Sequence, residues 1–325
     1  MNILSDLWIG AIAGTLTVLA LSLVIRLILA PTLAGVSCLS ANARKIVIPA
    51  LLVLPAVLGI SLAIIMAVSD HHLPFDLMAH HCHSDAVGCA AHGRVSDYLP
   101  LTAIGAGLLT IFLSWTMFGM AEKLHAIVET NLRLQRTVSK EQDTAFILDV
   151  ETPLAFCAGL FTPKIYVSKG LTERLSAEEL EMVRLHEASH IWGRDLLVRF
   201  IVSLLSFGQF GRVRSSLMAA LVRAQEEVCD QKVARQYGRV ETAEMLIKVQ
   251  RLRRSCSGLS PQISAAVDHG DISARTLALI SPEQTRSKTT KTFIAVAAPG
   301  LAFALVLASE PLHHLIETLF LSLKG

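Results

Sequence analysis

The chain has 325 residues, of which 52% are hydrophobic and 17% charged, with 29 basic side chains nearly balancing 27 acidic ones. An ordinary soluble domain carries about 25% charged residues, so this composition points to a membrane protein. With 19 Gly and 11 Pro it is neither collagen-like nor a disordered tract, and a net charge of +2 lacks the basic excess of a direct nucleic-acid binder.

Crossing about 30 Å of hydrocarbon as a helix takes roughly 20 apolar residues. Leu7–Ala30 meets that length with one charge, Arg26, near its end, where a long side chain can reach the interface. The N-terminus has neither the basic region nor the small-residue cleavage site of a secretory signal, so this span is expected to be retained. Ile46–Val68 is uncharged and carries Pro49 and Pro55, which are tolerable where neighbouring helices shield the backbone. Tyr98–Ala121 is a third uncharged run, and the 18 residues Thr292–Ser309, with Pro299 and Gly300, are taken as a fourth span. The loop after the first span ends in Arg44-Lys45, the loop between spans two and three holds only Arg94, and 24 of the 29 basic residues lie in 122–291. Positive charge marks the inner side. The expected layout is three helices (7–30, 46–68, 98–121) in 1–121, with 69–97 outside, a cytosolic domain over 122–291, a last span over 292–309 and an outer tail over 310–325.

The outer segment 69–97 contains His71, His72, His80, His81, His83 and His92, half of the twelve histidines, together with Cys82 and Cys89. Imidazole and thiolate bind zinc, copper or nickel, so one reading is a sensor loop for a second transition metal or for thiol state. A Cys82–Cys89 disulfide and a merely polar loop are the other two readings.

Within 122–291, Phe146–Val150 and Lys164–Ser168 have the pattern of short strands. Helix begins near Ser176, where Ser176-Ala-Glu-Glu179 has capping-box spacing. The apolar, uncharged stretch Phe200–Gly211 is 12 residues long, too short to span, and predicts a buried or interfacial helix. Cys38, Cys157, Cys229 and Cys256 fall on the inner side as small buried residues.

The chemistry sits in His186-Glu187-Ala188-Ser189-His190. Helix positions i and i+4 share a face, so His186 and His190 can present two imidazoles to one zinc ion. Glu187 beside them can take a proton from the bound water. Zinc so held needs a third protein ligand and an open position. The helical segment Ala224–Val233 places Glu226 and Asp230 four apart, Glu226 as candidate ligand and Asp230 as acceptor for a histidine's other nitrogen. The rival reading is a solvated acidic face of Glu226, Glu227 and Asp230 paired with Arg223 and Lys232. Tyr237, Arg235 and His269 are candidates for meeting the oxyanion, and His125 has no assigned role.

In order, Pro153–Gly159, Pro163–Ser168, Leu175–Leu180, His186–His190, Asp195 and Glu226–Asp230 resemble the BlaR/MecR-type membrane metallopeptidases and, more distantly, the HtpX-type membrane proteases. The resemblance covers 98–310. It implies a mainly α-helical membrane protein with four transmembrane helices and a cytosolic α+β gluzincin metalloprotease domain between spans three and four. It implies one catalytic zinc on His186, His190 and Glu226, Glu187 as general base, Asp230 and Asp195 in support, and Ala155, Phe156 and Cys157 in an edge strand that pairs with substrate. The BlaR and MecR receptors continue into a penicillin-binding sensor domain. This sequence ends at Gly325 without a Ser-x-x-Lys motif in its outer segments, so sensing by acylation is not expected within it.

The expected function is a zinc endopeptidase of a bacterial inner membrane, an antirepressor that cuts a BlaI/MecI-like repressor, and itself, in response to an outside signal. Besides that substrate and the lipid bilayer, a homodimer is compatible with the layout and no direct nucleic-acid contact is expected. The alternatives are an HtpX-like quality-control protease and a non-proteolytic metal-sensing transducer.

Overall fold

Two apolar helices, α1 (Ile3–Leu27) and α3 (Ala41–Val68), lie against each other in the computed structural model. It describes residues 3–68, 138–142, 145–206, 209–255 and 272–281, with scattered helical positions between 110 and 129. A Cβ on Gly14 would stand 2.5 Å from the carbonyl oxygen of Gly59, and one on Gly59 2.6 Å from that of Gly14. The two backbones therefore touch, the close approach that small residues allow between membrane helices.

Between Gly14–Leu27 and α2 (Leu29–Ser37) the axis bends by 68°. This corrects the continuous span expected over 7–30, and most of the expected inner loop 31–45 is helix. Cys38, expected to be buried, is exposed at the end of α2, its thiol donating to the carbonyl of Ala34 at 3.4 Å. Among the described residues Ala41–Ile64 is one helix long and apolar enough to cross a membrane, and the bent pair is a second if its pieces form one span. The segments 69–97 and 292–309 lie outside the described residues, as does all but a few positions of 98–121.

Pro55 has no N–H, so the carbonyl of Leu51 one turn earlier loses its helical donor. The Gln209 side-chain amide meets it at 3.3 Å, with the Leu52 carbonyl at 3.5 Å. Gln209 is at the tip of a helical hairpin, α6 (Asp195–Leu205) and α7 (Gly211–Tyr237), which leans on α3. Ile48 and Leu52 of α3 are buried there with Val202 of α6 and Val213, Leu217 and Leu221 of α7. The single helix expected over 200–211 is thus corrected: helix stops at Leu205 and the next one begins at Gly211.

A second core lies under a small sheet of β1 (Val138–Gln142), β2 (Ala145–Leu148), β3 (Ala155–Ala158) and β4 (Lys164–Ser168), in the order β1-β2-β4-β3. Strand β4 matches its expected bounds. Strand β2 ends earlier than Val150, whose N–H turns back to the Leu148 carbonyl at 2.8 Å, and β1 was not anticipated. β2 runs parallel to β4, and β3 closes the edge antiparallel to it. The buried Ser168 hydroxyl accepts from the N–H groups of Leu154 and of Leu171 in α4 (Lys169–Thr172), which fixes where β3 begins.

α5 (Ala177–Trp192) starts with the expected capping box, Glu179 N–H to Ser176 Oγ at 3.2 Å and Ser176 N–H to Glu179 Oε2 at 2.7 Å. Gly238, at φ +104°, ends α7 in the region that favours glycine and starts α8 (Arg239–Ser255). α9 (Ile272–Ile280) completes the described chain. Ile165, Val167, Met182, Val183, Met245 and Leu246 make the centre of this core.

Gly59→Leu should drive α1 and α3 apart and cost about 1–3 kcal/mol, as overpacked sites do. Gly35→Ala, where an added Cβ meets nothing within 4 Å, should leave the unfolding midpoint in detergent unchanged or higher. Equal melting of the two variants would refute the tight crossing.

Candidate metal centre

Helix α5 brings His186, Glu187 and His190 to one buried end of a cleft, and α7 faces them with Glu226 and Asp230. His186 Nε2 lies 3.3 Å from Glu226 Oε2, and His190 Nε2 lies 3.3 Å from Glu226 Oε1. A strong charge-assisted bond would be shorter, about 2.7–2.9 Å. Ligand atoms around a tetrahedral zinc with bonds of about 2.0–2.2 Å stand roughly 3.3–3.6 Å apart. Glu226 Oε1 is buried without a hydrogen bond. This donor set fits a divalent cation.

The outer nitrogens are held by two further carboxylates. His186 Nδ1 is 3.1 Å from Asp230 Oδ1, and His190 Nδ1 is 2.8 Å from Asp195 Oδ2. Both rings thereby turn Nε2 inward, the orientation that carboxylates impose on metal-binding histidines. Asp195 can reach back because Gly193 and Arg194, the latter at φ 51°, reverse the chain between α5 and α6. His190, Asp195 and Cys229 also lie close enough to group around a cation. There, however, Asp195 is already ion-paired with Lys45 at 2.6 Å, and His190 Nδ1 is shared between Asp195 Oδ2 and Cys229 Sγ.

The carboxylates are neutralised by cations that the local pattern did not reveal. Arg275 of α9 clamps Asp230 through Nε at 2.8 Å and Nη2 at 2.7 Å, and its Nη1 is 3.2 Å from Glu226 Oε2. Arg199 of α6 reaches Glu226 Oε1 at 3.6 Å and bonds Gln225. The only sequence signal for either is a lone cation within an apolar helix. Glu227 pairs with Arg44. The acidic-face reading, with Arg223 and Lys232 as partners, is therefore corrected: Lys232 lies over the Trp192 ring and Arg223 is exposed.

Burial opposes a charged His186, yet its hydrogen bonds to the Asp230 and Glu226 carboxylates overcome it and raise its pKa to about 10. His190 is likewise driven up against burial by Asp195, Cys229 and Glu226. Burial alone would raise the carboxyls, but the two histidines hold Glu226 well below its usual range, Arg275 lowers Asp230, and His190 with Lys45 lowers Asp195.

The cleft is bounded on one side by Ala155, Phe156 and Cys157 of the edge strand. Leu154 bonds Ser168 across the sheet, so strand alternation turns the backbone groups of Ala155 and Cys157 toward the free edge. Arg253 already donates to the Ala155 carbonyl at 3.3 Å. Burial, and then Glu187, pushes the Cys157 thiol up to about 12. Val183, Met245, Leu246 and Val249 make the opposite wall apolar. Of the oxyanion candidates, Arg235 is exposed and Tyr237 packs on the core under the sheet, so neither lines the cleft, while His269 lies outside the described residues.

The chain matches the BlaR1 peptidase M56 family over residues 98–278, more than half its length, and belongs to that family. It is 35% identical over 130 residues to protease HtpX homolog 2 of Methanosarcina mazei, covering 39% of this chain and 41% of that protein. It is 39% identical over 85 residues to a protease HtpX homolog of Methanocaldococcus jannaschii, covering 26% and 29% of the two chains. A protease HtpX homolog of Aquifex aeolicus is 34% identical over 85 residues, covering 26% and 27%. The matched stretch spans less than half the length of each of these relatives. No solved structure matches.

The raised histidine pKa has a sign that can be tested. In metal-free protein His186 gains protons on folding, so its contribution to stability is complete below about pH 6.5 and lost as pH rises toward about 10. Metal needs neutral imidazoles, so zinc affinity should rise over the same window. Thermal melts across that range should therefore diverge with and without zinc. Parallel curves would count against metal at these histidines.

Proposed function

We propose that the chain is a zinc endopeptidase anchored in a cytoplasmic membrane, with His186, His190 and Glu226 as ligands and Glu187 as general base. The observation that carries this reading is the pair of histidine Nε2 atoms, each 3.3 Å from a different oxygen of Glu226, beside an edge strand. Zinc bound there would polarise a peptide carbonyl and acidify a water. Glu187 takes that water's proton and returns it to the leaving amine. Cys157 in β3 offers its N–H and carbonyl to a substrate strand, the way an exposed sheet edge takes an extended peptide. The apolar wall seats an apolar substrate side chain. Arg199, lining the cleft, is better placed than Tyr237 or Arg235 to meet developing negative charge.

Within that reading the substrate is a cytosolic BlaI/MecI-like repressor, cut when an outside signal reaches the spans. The family match supports this regulatory role. The HtpX relatives support quality control of membrane proteins equally, with broad cleavage and no dedicated input. The four-span layout, with 122–291 in the cytosol and the His71–His92 segment outside as input, is part of the proposal.

Glu187→Gln should keep one zinc yet lose peptidase activity by about 10²-fold or more, since general-base catalysis contributes that much. His190→Ala and Glu226→Ala should lose zinc as well. Cleavage by Glu187→Gln at the parent rate would overturn the assignment, and no cleavage even by the parent would favour the non-proteolytic transducer. A single cut in a repressor, against many cuts in misfolded membrane proteins, separates the two protease roles.

A further inference from the structure

We infer that Lys45, at the start of the membrane helix α3, is a positioning residue of the metal centre, so that the placement of α3 sets how firmly His190 holds its metal. The inference rests on the zinc reading above. Lys45 Nζ stands 2.6 Å from Asp195 Oδ1, and the other oxygen of Asp195 stands 2.8 Å from His190 Nδ1. The Asp195 side chain is 0% exposed, so water does not replace either the ion pair or the hydrogen bond. One carboxylate thus divides its two oxygens between a membrane helix and a ligand histidine. Lys45 also lies outside the residues matched to the peptidase family, 98–278.

Room for this bridge exists because residue 193 has no side chain. A Cβ on Gly193 would lie 2.8 Å from Asp195 Oδ1 and 2.9 Å from Lys45 Nζ. Both are ends of side chains and stand closer than the one backbone neighbour, the Ser189 carbonyl oxygen at 3.2 Å, so a methyl there would press first on the pair and wedge it apart. The neighbouring Arg44 makes a different attachment: it pairs with Glu227, which is next in sequence to the ligand Glu226 but is paired away from it. Two successive cations therefore grip the two helices of the α6–α7 hairpin, and only Lys45 touches a group that touches a ligand.

Carboxylates that orient a metal-binding imidazole fix its tautomer and basicity. Freed from Lys45, Asp195 can rotate, and His190 loses the acceptor that turns Nε2 inward. A signal needs only to bind differently to two positions of α3 in order to change the centre. That helix runs at Val68 toward the segment carrying the outer histidines and cysteines.

The test uses the full chain in detergent, loaded with zinc, and follows zinc transfer to a chelator, with a thermal melt of each variant. Lys45→Met and Gly193→Ala should release zinc about 10-fold faster or more, the loss typical of removing such support. Arg44→Met should stay within about twofold of the parent, because its pair does not reach a ligand. Gly193→Ala removes no charge, so it answers the question even if Lys45→Met folds poorly. Unchanged release from both Lys45→Met and Gly193→Ala overturns the link while leaving the zinc centre intact. Equal loosening by Arg44→Met overturns it too, since docking in general would then be responsible. A parent that binds no zinc overturns the metal reading itself.

Discussion

Three buried carboxylates in contact with two imidazoles impose the constraint on which the rest of the structure depends. Glu226, Asp230 and Asp195 are each at most 2% exposed, and an isolated buried charge is far too costly to keep. Cations from three elements answer them. Arg275 of α9 clamps Asp230 at 2.7 Å and Lys45 of α3 meets Asp195 at 2.6 Å, while Glu226 has only the longer contacts of Arg275 at 3.2 Å and Arg199 at 3.6 Å. Asp230 and Asp195 are thus closely paired, and Glu226 is the least well matched. The raised histidine pKa follows: protons on His186 and His190 supply the positive charge that a divalent cation would otherwise bring. The same deficit that makes the imidazoles basic suits the centre to a divalent cation.

What the sequence discloses of this arrangement is its periodic part. His186 with His190, and Glu226 with Asp230, are four apart on helices, so one element's pattern is enough to place them on a face. The capping box at Ser176 is legible for the same reason, and so is β4, which alternates after a proline. Lys45 and Arg275 escape because their contacts join elements far apart in the chain, 150 residues in the case of Lys45 and Asp195, and Arg199 because its contact crosses from one helix of the hairpin to the other. The bend between α1 and α2 and the break between α6 and α7 escape differently. Both lie in apolar-rich stretches, with Arg26 in the first and Ser206 and Gln209 in the second, where composition records burial and not direction.

The membrane helix and the hydrolytic domain meet in a shared core, not across a linker. Ala41, Ile48, Leu52 and Ala56 form a stripe along α3, all at most 3% exposed, and Ile48 and Leu52 pack on the α6–α7 hairpin. Apolar packing of this kind sets a distance but tolerates sliding. The polar contacts on α3 do not: Arg44 to Glu227, Lys45 to Asp195, and the Leu51 carbonyl to Gln209 each need one register. A shift of α3 by one residue turns its side chains by about 100° and breaks all three together.

That division of labour bears on the choice between the two protease roles. A housekeeping enzyme needs its anchor only to be near the bilayer, and the apolar stripe would serve. A signalling enzyme needs the anchor's position to be felt at the centre. The Lys45–Asp195–His190 chain is a contiguous polar path, an ion pair of 2.6 Å followed by a hydrogen bond of 2.8 Å that ends on His190. Packed cores switch between discrete arrangements more readily than they deform continuously. A register-specific contact at the root of the anchor is the feature by which such a switch would reach His190, and the apolar stripe alone would not supply it.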